Sequence, residues 1–419
     1  MRVVHILSND CPGGLNHAAI RLHEQLLIQG IDSLLCVRRH QVQLESSNSR
    51  ASAVVQHPRD LLDLRRRLDS IPAWLISGKP YLSLCWLPST LDRTVAAIQP
   101  DLIHIHQPHG AILSLPSLHR FRRPLVATLH DMWFFTGGCT FDGGCGRWAD
   151  ACGKCPKVQF PHRFDASRLG HSLKRRAYMR TPISYIAPSQ WMHDCARASS
   201  LLANANIEHI PYGIDIDAFA PQDAKTARTD LGLPHDAFVI GFVAHDVDDP
   251  RKGGDLAAAT LAALLRKADL VGRRILAVAV GGSRPPEALF PDGTLAFLGR
   301  LATDQISRAY AACDVALVTS RQDNLPNVGI EAIACGTPVF GFNIGGLREI
   351  TPTPLESLAA PFDVDALAEL LTPLILDPKM HLRHRTQARQ HACEKFAAGL
   401  MGKRHEQLYE RVIKSETTN

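Results

Sequence analysis

Apolar positions in this chain come in short runs, and most runs open into a polar or glycine-bearing turn before a stretch of helical spacing begins. Val3 to Leu7 is the first such run. Ser8 to Gly14 is its turn, residues from about Asn16 to Gln29 carry helix spacing that stops at Gly30, and Asp32 to Arg38 is the next strand. Strand, helix and strand in that order make a βαβ unit, which demands a parallel sheet. The same logic predicts strands at Asp101 to His106, Pro124 to Asp131, Pro182 to Ser189, Phe238 to Ala244, Arg274 to Gly282 and Leu295 to Arg300. Ser189 caps the helix that opens at Gln190. The alternation is densest from Ala316 to Arg348, where strand, polar loop, short helix, strand and glycine loop form half of a doubly wound nucleotide-binding sheet. An acidic, proline-bearing run from Asp215 to Asp236 separates two such series. The pattern therefore predicts an α/β fold with one Rossmann-like domain over 1–210, a second over 211–390, and a basic helical tail over 391–419.

Composition narrows the class. The 419 residues are 45% hydrophobic yet contain no long uncharged apolar run, so two or three well-packed soluble domains are expected and no transmembrane helix. The start, MRVVHILSND, lacks the charged, apolar, small-residue layout of an export signal and reads as the first strand. Eleven cysteines in such a chain point to a reducing, cytoplasmic setting. The net charge of +5 is uneven: residues 1–210 hold 24 Lys and Arg against 15 Asp and Glu, and the remainder 22 against 26. Clusters at Arg65 to Arg67, Arg120 to Arg123 and Lys174 to Arg176 are suited to an anionic membrane surface, placing the protein peripherally on the inner face of the plasma membrane; solvated helix faces are the plain alternative.

The chemistry concentrates in the densest stretch. Asp323 stands in its loop and Glu331 eight residues on, in the first turns of the helix that Pro326 and Asn327 introduce. A helix that starts beside a strand's carboxyl end points free N–H groups at the ligand crevice, which favours an anion. Carboxylates on either side then take hydroxyls, so a diphosphate flanked by two polyols fits. The competing reading is that Glu331 only caps its helix, worth roughly 0.3–1 kcal/mol. Lys252, beside Arg251 at another helix entrance, is a point charge suited to the same diphosphate. Asp246 and Asp248 mimic a metal-binding DxD and read as an exposed loop.

Gly13 and Gly14 let backbone approach a ligand, although their spacing is not GxGxxG. His104 and His106 share one strand face; with no third ligand nearby they read as packed or hydrogen-bonded rather than metal-binding. His130 lies at a strand's carboxyl end, where ligand-facing residues collect. Just beyond it an insertion over 137–156 carries Cys139, Cys145, Cys152 and Cys155, spaced C-x5-C-x6-C-x2-C. Four thiols there could wrap one structural zinc, with reduced thiols or a disulfide pair as the alternative. A nucleic-acid-binding zinc ribbon would instead form a separate domain, so no nucleic acid is expected.

The order of these motifs, from the glycine loop through His130-Asp131, PSxW, Arg251-Lys252-Gly253 and D-x7-E-AIACGTPV to Gly345-Gly346, resembles the retaining GT-B glycosyltransferases of family four (group 1). The HDMW-FTGGC wording resembles the branch that builds bacterial exopolysaccharides such as colanic acid. The resemblance implies two Rossmann-like domains facing across a cleft, a tail helix crossing back to the first, no redox cofactor, a nucleotide-sugar donor, and a glycan or lipid-linked acceptor. It implies that Gly13, Gly14, Arg251, Lys252, Asp323, Asn324, Leu325 and Glu331 bind the donor, with His130, Asp323 and Lys252 at the reacting centre. The family's first acid is ordinarily Glu, so Asp323 departs by one methylene; Tyr212 likewise stands where the family has Asn, and His245 and Asp246 occupy the region of an earlier arginine. An epimerase on the same fold and a non-catalytic zinc-dependent binding module are the rival readings.

Overall fold

In the computed structural model the described residues are 1–9, 14–39, 54–56, 60–78, 83–109, 112–267 and 270–417. They form two compact units, Met1–Ile210 with Met401–Asn419, and Pro211–Leu400.

The first unit is built on strands β1 (Arg2–Asn9), β2 (Asp32–Arg39), β3 (Val54–Gln56), β4 (Leu102–Ile105), β5 (Leu125–Thr128), β6 (Ser184–Ala187) and β7 (Ile207–His209). They pair in the order β3-β2-β1-β4-β5-β6-β7, every pair parallel. β4 and β5 are buried along their whole length, as apolar runs in a sheet covered on both faces should be. The first helix spans Gly14–Ile28, so Gly14 opens it, whereas Gly13 lies outside the described residues. Ser189 caps its helix, its hydroxyl accepting the Met192 N–H at 3.0 Å.

The second unit carries β8 (Phe238–Val243), β9 (Ile275–Val280), β10 (Leu295–Gly299), β11 (Val315–Val318), β12 (Val339–Phe342) and β13 (Leu358–Ala359), again all parallel, in the order β10-β9-β8-β11-β12-β13. Strand order reverses at β1/β4 in one sheet and at β8/β11 in the other. Beyond the carboxyl ends of those pairs a doubly wound sheet opens its ligand crevice.

The tail departs from expectation in one respect. The chain rejoins the first unit at Met401, not at 391, because Phe396 is buried in the second unit and Ala397 bridges to Ile214 there. The helix Ala398–Thr417 then places Leu408 and Tyr409 in the core under β1, β4 and β5. No helix among the described residues is long and apolar enough to cross a membrane.

Candidate active site

At the β8/β11 reversal the two following loops meet. The loop after β8 ends in a single 3-10 turn, Pro250–Lys252, capped by Asp249, whose carboxylate accepts the Arg251 N–H at 2.9 Å. Gly253 follows with φ +71°, and a Cβ there would stand 2.2 Å from the Thr319 carbonyl oxygen, so only glycine lets this loop lie against the end of β11. Thr319 Oγ1 closes the contact by donating to the Gly253 carbonyl at 2.8 Å. The Lys252 ammonium is thereby set against the Asp323 carboxylate, Nζ to Oδ2 2.6 Å, with the Arg251 guanidinium 3.6 Å from the same oxygen. Ser320 Oγ donates to it at 3.3 Å, and the Asn324 N–H donates to Oδ1 at 3.0 Å. Burial alone would raise the pKa of Asp323; Lys252 and Arg251 outweigh that and hold it below the usual carboxylate value.

The glycine loop after β12 supports the acid from the other side. Gly345 has φ +59°, and a Cβ on it would fall 1.9 Å from the Asp323 carbonyl oxygen, while the Gly346 N–H donates to the Asn324 carbonyl at 2.7 Å. Asn324 and Leu325 are buried in this turn. Glu331 lies in the helix Asn327–Ala334 and is 7% exposed. Its Oε2 accepts the Tyr310 hydroxyl at 3.2 Å, whereas the residue at the helix's N-cap position is Pro326. Glu331 is thus tied to a neighbouring helix as well as to its own. Tyr310 carried no motif in the sequence and reaches the site only through the packing of helix Thr303–Ala312. Asp246 pairs with Arg300 at 3.4 Å and Asp248 bonds Ser283, so the DxD lookalike is spent on surface contacts.

In the first unit His130 sits just past β5, buried, its Nε2 2.9 Å from His106 Nδ1; His106 Nε2 is in turn 2.9 Å from His5 Nδ1. His104 bonds Tyr409 Oη and Thr128 Oγ1, both at 2.7 Å. The expectation that His104 and His106 have no third partner is corrected: β1 pairs with β4 so that His5 lies directly opposite His104. The ligand nitrogens of these three imidazoles lie within 4.8 Å of one another. Their contacts nevertheless read as a hydrogen-bonded chain, since both nitrogens of His104 and of His106 are already engaged. Burial drives His5, His104 and His106 well below the ordinary histidine pKa, and His130 to about 3.

The basic clusters divide. Arg120, Arg122, Arg123, Arg175 and Arg176 are exposed. Lys174 is fully buried, donating to the Trp133 and Thr136 carbonyls with its ammonium 3.5 Å from the Trp133 ring centroid, so it cannot meet a headgroup. Arg65 and Arg66 have side chains outside the described set. The four cysteines of the insertion line one cavity of about 10 Å³.

A family model described as glycosyl transferases group 1 matches residues 237–377, and one described as glycosyltransferase family 4 matches residues 12–218. The putative colanic acid biosynthesis glycosyl transferase WcaC of Escherichia coli K12 is 28% identical over 87% of this chain and 88% of its own length. D-inositol 3-phosphate glycosyltransferase 1 of Catenulispora acidiphila is 34% identical over 43% of this chain and 46% of its own. Among solved structures, sucrose-phosphate synthase of Thermosynechococcus elongatus superposes with a TM-score of 0.71 at 19% identity, covering 99% of this chain and all of that one. Anabaena HepE, solved in complex with UDP-glucose, gives 0.67 at 19% identity with full coverage of both chains. The fold is thus that of the GT-B glycosyltransferases.

Proposed function

The chain belongs to the family 4 (group 1) glycosyltransferases, and from that premise we propose that it moves a sugar from a nucleotide-sugar donor, with retention at the anomeric carbon, to a glycan or lipid-linked saccharide acceptor in polysaccharide assembly. The observation that carries this reading is the convergence of Lys252 and Arg251 on Asp323 at the sheet's reversal point, with Glu331 on the helix that follows. Two cations against one carboxylate leave a net positive charge at the start of helix Gly254–Leu265, suited to a diphosphate. Glu331 is suited to the ribose hydroxyls, and Asp323, in the Asn324-Leu325 turn, to the sugar.

The bond to the leaving diphosphate breaks as negative charge grows on it. Lys252 and Arg251 stabilise that charge, and the departing diphosphate oxygen takes the acceptor's hydroxyl proton on the same face. His130 is assigned to the transferred sugar. Buried and held by His106, it stays neutral and offers a hydrogen bond rather than a charge. The UDP-glucose bound to HepE and the colanic acid assignment of WcaC support the donor class and the pathway class respectively. The exposed arginines, together with the exposed Leu68, Ile71 and Leu75 of helix Asp60–Ser77, support peripheral attachment to an anionic membrane.

A thermal-shift panel of nucleotide sugars tests the reading, since a true donor stabilises the folded protein by mass action. NMR of the product's anomeric centre follows. Lack of stabilisation by every nucleotide sugar and nucleoside diphosphate would refute the donor site, and an inverted anomer would refute retention. A change in the donor's own sugar without acceptor would identify an epimerase.

A further inference from the structure

We infer that Cys139, Cys145, Cys152 and Cys155 form a structural zinc site that fastens the 137–156 insertion to the first unit. The four residues are far from regular in spacing, yet all of them line one cavity of about 10 Å³; no three of their sulfurs lie within 4.8 Å of one another, so an ion would draw the thiols together around it. None is in a disulfide, so the thiols stand around the space without being bonded to one another.

Through the Cys152-Gly153-Lys154-Cys155 turn, φ is +56° at Cys152, +95° at Gly153 and +50° at Lys154. Two side-chain-bearing residues in the left-handed region, Cys152 and Lys154 on either side of Gly153, are costly, and such strain persists only where the surroundings over-determine it. From outside the turn, the Gly137 N–H donates to Cys152 Sγ at 3.2 Å. The Cys155 N–H is held from outside by Asp165, the N-cap of helix Ala166–Tyr178, at 2.6 Å. That helix touches the insertion without intervening side chains, because a Cβ on Gly170 would lie 2.0 Å from the Gly137 carbonyl oxygen and one on Gly137 2.2 Å from that of Ser167.

A second, independent observation is charge. A zinc ion in four thiolates carries a net charge of −2, which a protein interior must balance. Lys174, fully buried on the same helix, donates to the Thr136 carbonyl at 2.9 Å, three residues before Cys139, and no carboxylate among the described residues pairs with it. A buried ammonium without an acid partner is expensive unless a neighbour supplies the negative charge. The thiolates would supply it. Binding releases four thiol protons, one from each cysteine. With all four positions taken by sulfur, this ion would have no open site for substrate and its role would be local.

The test uses the full chain, purified under reducing conditions without added metal. Elemental analysis is expected to find about one zinc per chain, with X-ray absorption showing four sulfur neighbours at about 2.3 Å. Cys152→Ser should lower the zinc content at least several-fold, whereas Cys195→Ser, on the helix Gln190–Ala198, should leave it unchanged. If Cys152→Ser does not fold, the absorption spectrum of the unaltered chain decides. Metal-free protein with four reactive thiols or with disulfides overturns the proposal, and so does zinc surrounded by nitrogen, which would place the ion at His5, His104 and His106.

Discussion

The two sheets share one strand order but fill their reversal points with opposite chemistry. At β8/β11 ion pairs are gathered on loops: Lys252 and Arg251 meet Asp323 there, all three partly buried. At β1/β4 charge is excluded: His5, His104 and His106 are buried inside the sheet, His5 bonded to His106 and His104 to Tyr409 and Thr128, and burial keeps them neutral. The lesson is that one topology can present either an electrostatic anchor or a rigid, uncharged support. Which one it presents is decided by whether the polar groups stand on the strands or on the loops beyond them.

The largest effect that can break this contrast is pH. His5, His23, His104, His106, His130 and His405 all have pKa values lowered by burial, to about 4 for His23 and His405 and about 3 for His130. Below about pH 6.5 the unfolded chain binds protons that the folded unit refuses, so stability is full above that value and falls as pH drops toward 4. Each such proton costs about 1.36 kcal/mol per pH unit, and six acting together would remove several kcal/mol within one unit. Hydrogen exchange, corrected for intrinsic rates, should show β1, β4 and β5 losing protection at pH 5 well before β8 and β11. Equal loss in both sheets would mean that the imidazole core is not what sets acid stability.

The next effect in size belongs to the other sheet. Lys252→Ala should weaken nucleoside diphosphate binding by about 2 kcal/mol, roughly thirtyfold, the order of a charge-assisted contact. Calorimetry showing unchanged affinity would sink the phosphate assignment. Glu331→Gln should cost about 1–2 kcal/mol in donor affinity while leaving the melting temperature near that of the parent. Should donor affinity survive, Glu331 serves packing with Tyr310 alone.

How much of this could be read from the sequence follows the same division. Asp323, Asn324, Leu325 and Glu331 fall within one short stretch, and their loop, helix and glycine neighbours leave a linear trace. The strand runs around them were legible for the same reason, because a doubly covered parallel strand is a continuous apolar word. His5 could not be read, since its partner is nearly a hundred residues away and only the β1/β4 register brings them together. Lys174 misled because a basic triplet on a helix looks solvated, whereas one of its three members points beneath Trp133. Met401 marks the chain's return because Phe396 is gripped by the second unit, a matter of packing rather than of charge or periodicity.

The smallest effect sharpens the role of Tyr310, the polar partner that no motif announced. Its hydroxyl reaches Glu331 Oε2 at 3.2 Å in a buried setting, so Tyr310→Phe removes one donor from a carboxylate and nothing from the surrounding packing. A side-chain hydrogen bond of that length is worth about 1 kcal/mol, and the lost donor leaves Glu331 freer to turn. If Tyr310 aims the carboxylate at the ribose, Tyr310→Phe should lower affinity for the donor nucleotide about fivefold. Its effect on the 2′,3′-dideoxy nucleotide, which offers no hydroxyl to the acid, should be much smaller. Combined with Glu331→Gln, the same change should add little, because the group it positions is no longer an acid. Equal losses for both nucleotides would make Tyr310 a packing residue, and the carboxylate's orientation would then be owed to its own helix.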